Sequence, residues 1–434
     1  MRAGLPQTEA LRRLGTDGCL LFGTRFVRLF AYGLLSVVFV LYLAGLGLSD
    51  WRIGLLLTLT LVGDTAISLW LTITADRVGR RRTLVAGASL MVLAGLLFAV
   101  TGNFWLLLLA AVVGVISPSG GEVGPFLAVE QASLSQIVPG QRRTDVFAWY
   151  NLVGSVAMAL GSLCGGVVAQ LAVGAGLAGA DAYRPVVIGY ATLGVLLAVM
   201  FLFLSPAAEV RPVGPGDAAE PQARSLLGLH KSRGVVFRLA LLFGLDAFGG
   251  GFVMQSLLAY WLHVRFGADP ASLGVVFLGA NLLAGVSALA AGRLAARFGL
   301  VNTMVFTHLP SNVLLILVPL MPSLPWAVGV LLLRFSISQM DVPTRQAYTV
   351  AVVRPDERSA AAGVTGVARS VGASLSPLLS AGLMGVPALA SLPFFLAGGI
   401  KIAYDLLLYR AFIAHAPADH DDHRDDPGPA RSSP

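Results

Sequence analysis

Charge is what this chain has least of. Only 12% of its 434 residues are Asp, Glu, Lys or Arg, about half of what a soluble domain carries. A surface facing water on every side cannot be built from so few, which excludes a water-soluble globular protein. Cysteine is nearly absent as well: Cys19 and Cys164 sit in or beside separate apolar runs. They offer no disulfide framework and read as thiols in a packed core. No phosphate-binding glycine loop, metal-ligand cluster or nucleophile–base pair stands out. No cofactor, no metal and no enzymatic chemistry is therefore assigned.

Apolar residues are what is there: 56% of the chain, with a mean hydropathy of +0.79. A crossing of the hydrocarbon core takes roughly 20 of them, and the runs suffice for twelve. The first six are Cys19 to Leu46, Trp51 to Thr74, Thr83 to Thr101, Phe104 to Val138, Asp145 to Val173 and Tyr183 to Leu204. The second six are 235–262, 270–296, 300–320, 324–353, 359–385 and 387–413. The fourth is too long for one straight helix at about 1.5 Å per residue. Its SPSGGEVGP, Ser117 to Pro125, should bend or break it. The expected organisation is a polar N-terminus (1–18), a six-helix bundle (19–205), a Pro/Gly/Ala-rich solvated linker (206–234), a second bundle (235–413) and a disordered tail (414–434).

The net charge of +7 does not point to nucleic acid, because the bases gather in alternate loops. Arg2, Arg12 and Arg13 precede the first span and Arg77, Arg80, Arg81 and Arg82 follow the second; the intervening loops hold only Arg52, Arg184 and Arg265. By the positive-inside rule both termini are cytoplasmic, and a bacterial inner (plasma) membrane is the expected location. The first apolar run is long enough to stay in the membrane, so no cleaved signal is needed.

One motif stands between the second and third runs: ADRVGRRRTL, Ala75 to Leu84, with a weaker echo, GRLAARFG, at Gly292 to Gly299. It resembles G-x-L-A-D-R-x-G-R-R, the loop signature of the major facilitator superfamily. Ala75, Asp76, Arg77, Gly79, Arg80 and Arg81 match, and Thr72 stands in place of the first glycine. The echo keeps Gly292, Leu294, Ala295, Arg297 and Gly299 but has Ala296 for the acid. Other segments repeat in the same order: FGTR (Phe22 to Arg25) with FGLD (Phe243 to Asp246), and the stretches around Pro125 and Pro343. The resemblance implies an all-α membrane protein of twelve transmembrane helices in two pseudo-symmetric six-helix bundles that rock about a central site. It also implies a gating role for Asp76, Arg77, Gly79, Arg80 and Arg81, with Arg297 in the second copy. GSLCGG, Gly161 to Gly166, resembles the fifth-helix exporter pattern G-P-x-x-G-G with Ser162 for the proline, and GASLSPLLSA keeps Pro377 in the eleventh span. Small residues there let helices approach backbone to backbone.

An ionisable residue within a span costs at least about 2.5–3.5 kcal/mol, so it needs a partner or a wet cavity. The resemblance puts the first, fourth, seventh and tenth helices around that cavity. They carry Arg25 and Arg28, Glu122 and Glu130, Asp246, and Arg334, Asp341 and Arg345. The last three would form one stripe on a continuous helix, although Pro343 warns against continuity. Either these groups are structural ion pairs, for example Arg25 or Arg28 with Glu130, or they form a proton relay and a substrate cavity. On the second reading Glu122, Asp341, Glu130, Asp246 and Asp64 are proton-coupling candidates. Arg25, Arg28, Arg334, Arg345, Gln255 and Gln339 would then shape the substrate site. Arg369 and the Lys401–Asp405 pair, four apart, read as structural; His308, Pro310 and Asn312 read as packing. Trp149, Tyr150, Tyr260 and Trp261 near span ends read as interfacial anchors. His415, His420 and His423 lie in an acidic tail that reads as solvated rather than metal-binding.

The function these readings lead to is proton-coupled efflux of a small organic molecule or drug by alternating access. The alternatives are a proton-coupled symporter or exchanger of a small anion and a transporter-like receptor or scaffold. The expected partners are a small-molecule substrate, protons and the lipid bilayer, with no nucleic acid, and the expected state is a monomer.

Overall fold

A computed structural model describes residues 15–122, 124–138, 143–209, 229–230, 232–354 and 357–412. The expectations for the linker's middle and for the tail histidines lie outside those residues. What is described is helical, without a strand.

Among the described residues sixteen α-helices make twelve membrane-spanning segments. In the first half these are α1 (Thr16–Ser36) with α2 (Phe39–Gly45), α3 (Asp50–Val78), α4 (Arg80–Val100), α5 (Phe104–Val113) with α6 (Phe126–Ile137), α7 (Arg143–Gly174) and α8 (Ala180–Leu202). The second half repeats them as α9 (Arg233–Gly251) with α10 (Gln255–Phe266), α11 (Pro270–Phe298), α12 (Leu300–Leu317), α13 (Leu324–Phe335) with α14 (Asp341–Ala351), α15 (Arg358–Met384) and α16 (Leu392–Phe412). Among the described residues nine stretches are long and apolar enough to cross by length and composition alone. The other three are the two-piece fourth and tenth spans and α15, which is dotted with Ser, Thr, Gly and Arg369.

The break expected in the fourth span is there, and a matching one interrupts the tenth between Phe335 and Asp341. Pro343 does not cause that second break. It sits in the first turn of α14, where a missing N–H costs little. Two further breaks were not expected: the first span is interrupted at Val37–Val38 and the seventh at Phe252–Met254. Pro185, Pro310 and Pro377 lie inside helices that continue past them.

Both motif turns are a single residue long. Gly79 (φ +106°) ends α3 and starts α4, and Gly299 (φ +84°) does the same for α11 and α12; such backbone angles favour glycine. Elsewhere glycine permits helix contact. A Cβ on Gly161 would lie 2.0 Å from the Phe30 carbonyl oxygen, and one on Gly372 would lie 2.1 Å from that of Gly244. Across the halves α7 packs on α11 and α3 on α15. Gly166, the last glycine of GSLCGG, meets Pro270 and Gly274 of the other half.

The outer surface is apolar, with Trp70, Ile73, Trp105, Phe237, Phe306 and Trp326 each more than half exposed. Such a belt belongs in lipid. Cys164 is a free thiol, and Cys19 is exposed rather than in the core.

Candidate functional site: a charged cavity between the halves

The four broken spans end inside the protein, where helix ends and irregular backbone can line a wet space. A cavity of about 650 Å³ lies there, the size of a site for a small organic ligand. The first half contributes Asp64, Glu122 and Met158 to its wall. The second half contributes Asp246, Gln255, Asn281, Arg334, Gln339, Arg369 and Lys401.

On the first-half side the SPSGGEVGP break takes Glu122 out of helix and turns its carboxylate toward α1. Arg25 donates to it directly, and Arg28 Nε donates from 3.3 Å. Arg28 grips Glu130 with both ends of its fork, at 2.7 and 2.8 Å, the strongest geometry for such a pair. Thr24 Oγ1 donates to Glu130 at 2.8 Å and the Tyr150 hydroxyl donates as well. Arg25 also donates to Asn151 Oδ1 at 3.1 Å and stacks over the Tyr150 ring at 4.2 Å. Tyr150 is therefore a buried partner, not an interfacial anchor. Arg25, Arg28 and Glu130 are sealed behind the wall, while the Glu122 side chain keeps 19% of its surface exposed.

Asp64, mid-way along α3, is held differently. Its carboxylate accepts the Gly124 N–H at 2.7 Å and the Ser68 hydroxyl at 3.2 Å. Among the described residues no cation pairs with it, although it lines the cavity.

Asp246 is the hub of the second half. Lys401 Nζ lies 2.5 Å away, Arg345 Nη1 3.1 Å, Arg369 Nη1 3.4 Å and His308 Nε2 3.7 Å. Arg345 reaches Asp341 too, at 2.9 Å. Behind them His308 Nδ1 lies 2.8 Å from Asp405, which also accepts from Asn312 Nδ2 at 2.9 Å. Two sequence expectations change. Lys401 and Asp405 do not pair with each other, because each turns to a different neighbour. His308 and Asn312 belong to a buried polar network rather than to apolar packing. Arg369 sits on Asp246 at the cavity wall. A lone base in an otherwise apolar run was the signal available for Arg369 and Lys401, since burial in a bundle demands a partner from another helix.

The stripe of Arg334, Asp341 and Arg345 is not continuous. The break keeps Asp341 and Arg345 together on α14 and leaves Arg334 alone at the end of α13. Arg334 lines the cavity with Gln339. The Gln339 N–H donates to Ser287 Oγ at 3.3 Å.

At the motif turn the backbone amides have a partner from beyond α8. Arg77, Arg81 and Arg297 are exposed, and the side chain of Asp76 lies outside the described part. Glu209, which the sequence did not single out, accepts from the Arg80 N–H at 2.7 Å and the Arg81 N–H at 3.1 Å. It thereby satisfies free amides at the start of α4. Arg80 Nη1 donates to Gln136 Oε1 at 2.9 Å. In the second half Glu357 accepts from the N–H groups of His230 and Ser232, just before α9 rather than at the Gly299 turn.

Hydrogen bonds between the halves gather at the end remote from these turns. Gln255 Nε2 donates to Ser36 Oγ at 2.8 Å and to Ser162 Oγ at 3.2 Å. The Ser256 N–H donates to the Pro118 carbonyl at 3.2 Å, and the Tyr260 hydroxyl to Asp50 at 3.2 Å. Trp261 is 2% exposed with its ring 4.4 Å from that of Phe394, so it too is core rather than anchor. The cavity lies on the turn side of this seam and extends to Ala288 and Gly366.

Residues 21–377 match the sequence profile of the Major Facilitator Superfamily. The chain belongs to that superfamily. Its sequence is 31% identical over 419 residues to the uncharacterized membrane protein YJR124C of Saccharomyces cerevisiae, covering 91% of this chain and 93% of that one. It is 21% identical over 386 residues to the quinolone resistance protein NorA of Staphylococcus aureus, covering 88% and 93%. Among solved structures, the nucleoside transporter NupG superposes with a TM-score of 0.66 at 14% identity, over 93% of this chain and all of that one. A bacterial homologue of the iron transporter ferroportin, in an inward-facing state, gives 0.68 at 12% identity, over 91% and 98%. These structural likenesses show the fold, twelve helices in two six-helix bundles.

Proposed function

We propose that this superfamily member is a proton-coupled secondary transporter of a small organic molecule, with Asp64 as the proton carrier. One observation carries the reading: Asp64 faces the central cavity with hydrogen-bond donors but no cation. The cavity's other acids, Glu122 and Asp246, already have arginine or lysine partners. A carboxylate in that position exchanges a proton with the cavity without dismantling an ion pair. Glu130 and Asp341, sealed into pairs, then hold the structure.

Alternating access follows from the seam and the cavity. The inter-half hydrogen bonds close one end, and glycine contacts such as Gly166 with Gly274 let α7 and α11 slide or hinge. Glu209 and Arg80 hold the first half's turn region together while it rocks. Export is the direction supported by GSLCGG and by the likeness to a quinolone resistance protein. Arginine placement supports cytoplasmic termini, and we assign the chain to a bacterial plasma membrane as a monomer. Uptake of an anion together with a proton is the second reading, favoured by Arg334.

The test uses proteoliposomes loaded with a pH-sensitive dye and offered a panel of organic acids, amines and neutral compounds. The expected result is substrate-dependent proton movement in the wild type, its loss in Asp64→Asn and its survival in Asp269→Asn, a substitution outside the spans. Proton movement unchanged in Asp64→Asn overturns the assignment.

A further inference from the structure

Arg334 is the cavity-facing base that no acid answers. The acids whose charge reaches it, Asp341 and Asp246, are engaged elsewhere: Asp341 by Arg345, and Asp246 by Lys401, Arg345 and Arg369. Among the described residues no carboxylate lies within ion-pairing distance of Arg334, and its buried Nε has no hydrogen-bond partner. A guanidinium carries five donors in a fixed fork and cannot give up its charge. Leaving its buried Nε–H without an acceptor is costly. The missing partner has one place to come from, the cavity that Arg334 lines.

The geometry points to Arg334 as the seat of an anionic group on the transported molecule, a carboxylate or another singly charged oxyanion. Lys401 and Arg369 stand on the same wall but are engaged by Asp246, which leaves Arg334 as the base of that wall open to a ligand. Phe335, whose ring centroid lies 5.1 Å from the Arg334 guanidinium, joins Leu258, Val253 and Met158 in offering apolar surface to the remainder of the ligand. The substrate class is therefore a small organic monoanion with an apolar body. This inference rests on the transport reading above and adds to it the charge of the cargo and the residue that reads it.

The experiment measures binding to the purified full chain with matched probes: benzoate, benzamide and benzylamine, and 2-naphthoate with its amide. Each carboxylate should bind about tenfold or more tightly than its amide. Arg334→Gln should remove that preference while leaving the amides unchanged, and Arg334→Lys should restore part of it. Amides or amines binding as well as carboxylates, none of the probes binding, or a preference that survives Arg334→Gln would each overturn the inference. Spin labels at Val78 and Phe298, in a chain freed of its two cysteines, report the pH-driven movement of the halves with no ligand present. A wild type without that response defeats the transport reading, not the anion site. If Arg334→Gln loses the response along with the preference, Arg334 is a structural residue and the anion site is rejected.

Discussion

Arg25 and Asp246 hold equivalent places in the two halves, each on the first helix after an aligned Phe-Gly pair, yet one is a base and the other an acid. Everything around them follows suit. Arg25 and its neighbour Arg28 are met by Glu122 and Glu130 from the fourth span, so the first half sets two bases against three acids once Asp64 is included. Asp246 is met by bases from the tenth, eleventh and twelfth spans. Leaving histidine aside, the second half sets Arg334, Arg345, Arg369 and Lys401 against Asp246, Asp341 and Asp405. Among these interior groups, Asp64 has no cation partner in the first half and Arg334 no acid partner in the second. The lesson is that a duplicated fold need not duplicate its electrostatics. Breaking the same four spans gives both halves an interior, and opposite charge gives the cavity two unlike walls.

The comparison is broken most severely at its sealed pairs. Arg28→Met leaves Glu130 buried without its fork, and unfolding in detergent should register a loss of about 3–5 kcal/mol. Arg28→Met combined with Glu130→Leu should lose distinctly less, because no charge is stranded. A double variant as damaged as the single one would show that the cluster contributes through packing rather than charge. A second test asks whether the halves share their helix contacts. Gly161→Ala and Gly372→Ala each force a Cβ onto a carbonyl oxygen and should each cost about 1–3 kcal/mol. Gly363→Ala, with open space around it on the same helix as Gly372, should gain about 0.5–1 kcal/mol. Equal effects at all three would remove the backbone-contact explanation.

Smaller effects belong to the turns. Glu209→Gln and Glu357→Gln each weaken the capping of a helix start and should lower stability by about 1 kcal/mol. No loss in either would show that these carboxylates do not support the helix starts they contact. The smallest effect is expected at Asp269, outside the spans at the start of α11. The Ser272 N–H at 2.8 Å, aided by the Ser272 hydroxyl, holds its carboxyl below the usual carboxylate range. That contribution is complete above the unfolded group's pKa and is lost as pH falls through the folded one. Asp269→Asn should therefore flatten the acid side of the stability profile slightly, and a curve of unchanged shape would contradict this.

Spans, turns and repeats were legible because they rest on local signals: apolar runs, positive-φ glycines and aligned motifs. The fourth-span break was legible for the same reason, as its prolines and glycines are adjacent in the chain. The breaks at Val37–Val38 and Phe252–Met254 were not, since no proline marks them. Pairings across helices were read less well. Spacing on one helix suggested Lys401 with Asp405, whereas Lys401 reaches Asp246 and Asp405 reaches His308, partners more than ninety residues away. Asp64 and Arg334 were visible as candidates. What singles them out is the absence of a partner, a property of the packed bundle that no single stretch of sequence contains.

The central claim is that the unpaired acid of the first half senses protons and biases the two bundles. The distance between spin labels at Val78 and Phe298, followed through a pH titration in membranes, tests it most directly. The account predicts a distance distribution that shifts with pH in the wild type, persists in Glu122→Gln and becomes insensitive to pH in Asp64→Asn. A wild-type pH response retained by Asp64→Asn would contradict it.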